Sequence, residues 1–274
     1  MRRYALRVAR LLLSFVLSAL FLIPSAAQQA TAQQVAVPDV QAGALLQKSL
    51  SALTNGQSLA DVTLTGTARR IAGSDDDTGA AVFKALVSGS GRTDLSLPSG
   101  QRSEVCDLSA TTPAGTWSGP DGISHPIAFH NLLSEPTWFF PAFAIARRLS
   151  ASGYIATYIG QESRNSVSVE HLSSSQPAAS SPNTATLFQH LSQVEIYLDS
   201  STLLPAILTF NVHPDNDAGL DIPTEIRYSD YRAVNGTQVP FHIQKYVNNT
   251  LLLDFQAQTV TLNTGLSASA FSIQ

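Results

Sequence analysis

The 274-residue chain is poor in the features that fix many small exported or catalytic proteins. It has one cysteine, Cys106, which excludes an intrachain disulfide and leaves the folded part to be held by its core. Charged residues make up 13% of the chain, well below the roughly 25% of an ordinary globular domain. The net charge is −4 and no basic stripe is present, which argues against nucleic acid as a partner. No repeat of solenoid or propeller length occurs. The six histidines are scattered, with no His-x-x-x-His or His-Glu-x-x-His spacing. No Gly-x-Ser-x-Gly elbow exists either, since Ser88-Gly89-Ser90-Gly91 reads as a turn.

What is present begins with an export signal of bacterial type. Arg2, Arg3, Arg7 and Arg10 precede an apolar run from Leu11 to Ile23, Pro24 ends it, and Ser25-Ala26-Ala27 offers small residues to a signal peptidase. The run is about 13 residues, short of the roughly 20 of a spanning helix. Residues 1–27 are therefore expected to be a signal peptide, with an uncleaved anchor or cleavage after Ala32 as alternatives. No lipobox cysteine follows. The Gln-rich residues 28–38 are expected to be disordered, and residues 39–274 to form one domain working in the periplasm or outside the cell.

Within that domain, Val40 to Leu53 reads as an amphipathic helix with Val40, Leu46, Leu50 and Leu53 near one face, stopped by Asn55-Gly56. The period then changes to 2. Val62, Leu64, Gly66 and Ala68 alternate with threonines and Arg69, and strands continue at 81–88, 93–97, 103–108 and 115–118. Turns are read at Gly73–Gly79, Gly89–Gly91 and Pro98–Gly100. Ala128 to Leu149 departs from the pattern. It is dense in aromatics, contains Pro136 and Pro141, and suits two short helices with a break near Pro136. Strands resume at 154–161 and 166–172, a loop spans 173–184, and strands follow at 194–199, 206–212, 224–234, 239–245 and 251–262. Asn235-Gly236 and Asn248-Asn249 form tight turns. Ten or eleven strands with helices at the start and middle predict a mainly β fold, one curved antiparallel sheet forming an incomplete barrel.

Candidate chemistry is thin. His125 and His130, beside the aromatic segment, are read as polar edge residues in preference to metal ligands. Cys106 on a half-buried strand has no paired base in sequence and reads as inert. Asp75-Asp76-Asp77 and Asp215-Asn216-Asp217…Asp221 offer oxygens, yet neither has the calcium-loop pattern. Both read as hairpin tips, and the sequons at Asn235 and Asn248 as turns. Trp138, Phe139, Phe140 and Phe143 cannot all face water. They are read as an apolar lid or cavity lining, or as a plug of the core.

The run Val194–Asp199, Leu204-Pro205, Tyr228-Ser229-Asp230-Tyr231-Arg232, Asn235-Gly236, Val239-Pro240 and Leu262-Asn263…Phe271 resembles outer-membrane lipoprotein-sorting proteins of the LolA/LolB-like superfamily. The likeness lies in order and spacing, with the initial helix in agreement, over most of residues 39–274. It implies a half-barrel with helices lidding a concave apolar face that holds a lipid, acyl chain or lipoprotein. No cofactor or metal is implied, and the expected state is a monomer. A sensor of the same fold contacting an envelope protein is the alternative, and a secreted hydrolase without recognisable motif is a second. The carriers' functional arginine has no single counterpart, because Arg69 and Arg70 point to opposite faces and neither is assigned.

Overall fold

The computed structural model describes residues 39–108, 112–151, 153–176 and 182–272. The expected signal peptide and the polar stretch 28–38 lie outside them. Among the described residues, no helix is long and apolar enough to cross a membrane.

Helix α1 (Val40–Thr54) starts where Asp39 caps it, its carboxylate accepting from the amides of Gln41 and Ala42 at 2.8 and 3.2 Å. The other oxygen of Asp39 accepts from Tyr158 N at 2.8 Å, so the cap also ties the helix to the sheet. Asn55 ends the helix at φ 50°. The buried face is Ala42, Leu46, Ser49 and Leu53, one step around from the expected stripe. Val40 stands in the first turn, ahead of the packed face, and is 86% exposed.

Among the described residues, thirteen antiparallel strands then form one open sheet. They are β1 (Asp61–Ala72), β2 (Asp75–Leu86), β3 (Gly91–Leu97), β4 (Gly100–Asp107), β5 (Ala114–Ser118), β6 (Ser124–Pro126), β7 (Ile155–Arg164) and β8 (Val167–Ser175). After them come β9 (Val194–Asp199), β10 (Pro205–Val212), β11 (Ile222–Val234), β12 (Thr237–Val247) and β13 (Thr250–Leu262). The order across the sheet is β6-β5-β4-β3-β2-β1-β13-β12-β11-β10-β9-β8-β7. The chain enters mid-sheet at β1 and meanders to the β6 edge. It then crosses to the opposite edge at β7 and meanders back until β13 pairs with β1.

That single edge-to-edge crossing is the aromatic segment. It holds a 3-10 turn (Phe129–Leu133) and helix α2 (Pro141–Ser150), the two short helices expected around Pro136. The crossing and α1 lie over the concave face. Trp138, Phe139, Phe140, Phe143 and Ile145 share one buried cluster with Leu46 and Leu53 of α1 and with Phe83, Ile196, Leu208 and Phe255 of the sheet.

Three local readings differ from expectation. Asp75-Asp76-Asp77 is the start of β2, not a turn; the tip is Gly73-Ser74, and Asp76 is held by Arg69 through two bonds of 2.6 Å. The loop read over 173–184 is shorter, because β8 runs to Ser175 and a helix, α3 (Pro182–Leu191), starts within it. Gly91 is more than a turn residue: a Cβ there would meet the Pro136 carbonyl oxygen at 2.4 Å, so glycine lets the crossing segment pack onto β3. Gly66 lies at the β1–β13 register shift, where a Cβ would stand 2.0 Å from Gln256 O. Asn235-Gly236 forms the expected hairpin turn, with φ of 49° and 86°.

Candidate functional site: the concave cleft at Trp138

The register carries one row of side chains across the concave face. Arg70 pairs with Leu253, Leu253 with Lys245, Lys245 with Ile226, Ile226 with Leu208, Leu208 with Ile196, and Ile196 with Leu172. Residues paired across a ladder share a face. Two cations, Arg70 and Lys245, thus interrupt an aliphatic row that continues beyond Arg70 to Asp77 of β2. Arg69 points the other way to Asp76, half exposed.

Around these cations lies a cleft of about 240 Å³, whose walls include Leu95, Arg102, Trp117, Trp138 and Leu253. Trp117 comes from β5 and Lys245 from β12, six places apart in the strand order. In a flat sheet those strands would be about 29 Å apart, at about 4.8 Å per strand. That both line one small cleft measures how strongly the sheet curls. A bulge between Lys245 and Tyr246 leaves Leu252 unpaired, and Leu252 and Leu253 both line the cleft. A second cleft of about 280 Å³ shares Glu104, Trp117, Trp138, Lys245 and Leu252 with the first. The Lys245 ammonium lies 4.8 Å from the centre of the Trp138 ring, a cation–π contact.

The cationic balance of the first cleft is uneven. Arg70, Arg102 and Lys245 face one carboxylate, Glu104. Arg102 reaches Asp75 only at 3.9 Å, and among the described residues its Nε is buried without a partner. Burial, and then the like charge of Arg102, lower the pKa of Arg70, against the opposing charges of Asp75 and Asp77. Among its lining groups, the site has an excess of positive charge over an apolar floor.

The crossing segment is held beside the cleft by a buried ionic knot. Glu135 is fully buried, and its Oε2 accepts from Arg148 at 2.5 Å and Arg147 at 3.1 Å. Its Oε1 accepts from the Thr137 hydroxyl at 2.6 Å and the Thr137 amide at 3.2 Å. Burial alone would raise the carboxyl's pKa, but Arg147, Arg148 and the Thr137 bond together hold it down to about 2. The Tyr228 hydroxyl donates to the Trp138 carbonyl, pinning the segment to β11.

Of the four aromatics singled out from sequence, Trp138 lines both clefts and is 4% exposed. Phe139, Phe140 and Phe143 are buried in the core cluster, with Phe139 packed on Phe83 at 5.1 Å and Phe140 on Phe143 at 4.7 Å. Sequence reasoning missed Arg70, Arg102 and Lys245. Their signal was present in the alternation, which puts Arg70 on the face of Ala68 and Leu64, but only the register with β13 shows what that face meets. Burial first, and Glu104 second, push the Cys106 thiol up, the opposite of what a nucleophile needs. His125 stacks on Trp117 at 4.4 Å, whereas His130 Nε2 approaches the Pro214 carbonyl at 3.1 Å.

The chain matches no protein-family model and no curated protein. Among solved structures it resembles an outer membrane lipoprotein-sorting protein domain from Vibrio parahaemolyticus, at 12% identity and TM-score 0.51, covering 82% of this chain and 95% of that one. It also resembles a LolA superfamily protein from Nitrosomonas europaea, at 11% identity and TM-score 0.53, covering 87% and 99%. A DUF1329 family protein from Desulfovibrio piger matches at 10% identity and TM-score 0.50, covering 86% and 98%. The chain therefore has a LolA-like fold, an open antiparallel half-barrel with helices over its concave face.

Proposed function

We propose that the protein is a non-enzymatic carrier, exported through the signal at residues 1–27, that shields an acyl chain with an anionic headgroup. The ligand class covers a lipid or the acylated end of a lipoprotein. The observation that carries this reading is the first cleft, where an apolar floor meets three cations and one acid, the place for the headgroup. The LolA-like fold supports it in general terms.

Each cleft alone is smaller than the roughly 300–1,000 Å³ of most ligand pockets, and both together fall inside that range. Trp138 and Lys245 line both. In the proposed mechanism the Trp138 ring swings out of the wall and the acyl chain takes its place. Phe139, Phe140 and Phe143 form the plug that closes the empty protein. Each methylene buried contributes about 0.8 kcal/mol, and Arg70, Arg102 and Lys245 pair with the headgroup. The wall is then both lid and specificity element.

The test is titration of the mature chain with a fluorescent fatty acid, together with native mass spectrometry of protein purified from its cell envelope. Saturable one-to-one binding, displaced by anionic phospholipid, is expected. Trp138→Ala should alter probe binding more than it lowers thermal stability, whereas Phe143→Ala, in the core and outside both clefts, should mainly lower thermal stability. A wild-type chain that binds no probe and carries no lipid sinks the carrier reading.

A further inference from the structure

On the far side of the second cleft, three donors meet that lie far apart in sequence. His190 comes from α3, His213 follows β10, and Asp221 precedes β11. His190 Nε2 and His213 Nε2 lie 2.8 and 3.0 Å from the same oxygen, Asp221 Oδ1, and all three donor atoms fall within 4.8 Å of one another. The geometry points to a divalent transition-metal site of the zinc class, with His190, His213 and Asp221 as ligands and the remaining position open to water.

The donor set fits that class. Two imidazoles and one carboxylate suit zinc and its neighbours, whereas calcium and magnesium take oxygen. Zinc–nitrogen and zinc–oxygen bonds of about 2.0–2.2 Å place tetrahedral ligands about 3.3 Å apart. The two contacts to Asp221 need to open by a fraction of an ångström to admit an ion, and the two imidazoles need only close toward it.

The site is also held in advance of any ion. His213 is almost wholly buried, with its side chain 1% exposed. Both ends of the Asn131 carboxamide grip its backbone: Asn131 Nδ2 donates to His213 O, and His213 N donates to Asn131 Oδ1, each at 2.8 Å. The neighbouring ring of His130 meets His213 edge-on at 5.8 Å. Among the described residues, His213 Nδ1 is buried without a hydrogen-bond partner, so it can carry the ring proton when Nε2 takes an ion. His190 and Asp221 are each 41% exposed, leaving an entry path.

The consequence is a brace. Asn131 belongs to the 3-10 turn that leads into Glu135 and Trp138, and Phe129 of that turn meets Phe188 of α3 at 6.4 Å. An ion joining α3 to His213 would stiffen the end of the crossing segment. This inference rests on the three donors alone and stands whether or not a lipid binds.

The experiment uses the tag-free mature chain, stripped with a chelator. Calorimetric titration with Zn²⁺ should show one equivalent bound with release of protons. Excess Ca²⁺ and Mg²⁺ should leave it unchanged, and Co²⁺ should give the visible absorption of a low-coordinate site. His190→Ala and Asp221→Asn change partly exposed groups, and circular dichroism checks that they fold. Each should weaken binding about tenfold or more, since even outer-shell partners command that much. His242→Ala, a histidine paired elsewhere with Asp254, should not. Zinc binding that is absent in the wild type, or equally strong in the His190 and Asp221 variants, overturns the proposal.

Discussion

Replacing Glu135 by glutamine interrogates the segment that crosses the sheet. The variant keeps the side chain's shape and one carbonyl for Thr137, but leaves Arg147 and Arg148 as buried cations without their anion. The carboxyl's pKa is held from 4.5 down to about 2. At 1.36 kcal/mol per pKa unit this is about 3 kcal/mol of stability at neutral pH. Removing one partner of a buried ion pair typically costs about 3–5 kcal/mol, which agrees. Because the folded pKa is the lower one, this stability is fully present above pH 4.5 and is lost as pH falls toward 2. Guanidinium unfolding at pH 7 should therefore place the variant about 3 kcal/mol below wild type, with a melting temperature lower by about 6–12 °C. At pH 3 the wild type has surrendered most of this term, and the gap should shrink to about 1–2 kcal/mol. A gap under 1 kcal/mol at pH 7, or one that does not narrow in acid, would falsify the reasoning.

Further outcomes follow from the same geometry. Gly91→Ala should destabilise the fold by about 1–3 kcal/mol in chemical denaturation, because its methyl group would press on the Pro136 carbonyl. Gly66→Ala should cost a similar amount, since the clash is with the backbone of β13. Arg70→Gln and Lys245→Gln should each weaken an anionic acyl probe about tenfold and flatten its salt dependence, leaving a neutral acyl probe unaffected. Equal losses for both probes would mean the two cations only shape the cleft. Asp39→Ala should lower stability by about 1 kcal/mol, as expected for a lost helix cap.

The β-rich half of the molecule was legible because its signals are local. Alternation in Val62–Ala68 and the Asn235-Gly236 turn each depend on a few adjacent residues, and the structure agrees with both. The edge-to-edge crossing was recognised as a departure from the strand pattern, and Pro136 marked its break. What it crosses is a matter of topology, which the local pattern does not carry. Helix α3 went unread because it starts in a Ser-, Ala- and Pro-rich stretch whose composition reads as loop. The stripe of α1 was set one step off because Val40 is apolar but sits in the first turn, ahead of the packed face. The cleft cations and the His190–His213–Asp221 cluster needed long-range register, and no spacing in the sequence announces either.

The crossing segment has a mechanical consequence of its own. It is anchored at both rims of a curled sheet, as a string is anchored at the two tips of a bow. The Glu135 knot and the Tyr228 bond to Trp138 hold it between them, so its span would limit how far the rims can separate. If the proposed ligand displaces Trp138, slackening that string would let the sheet flatten, and ligand entry and sheet curvature would become one coordinate.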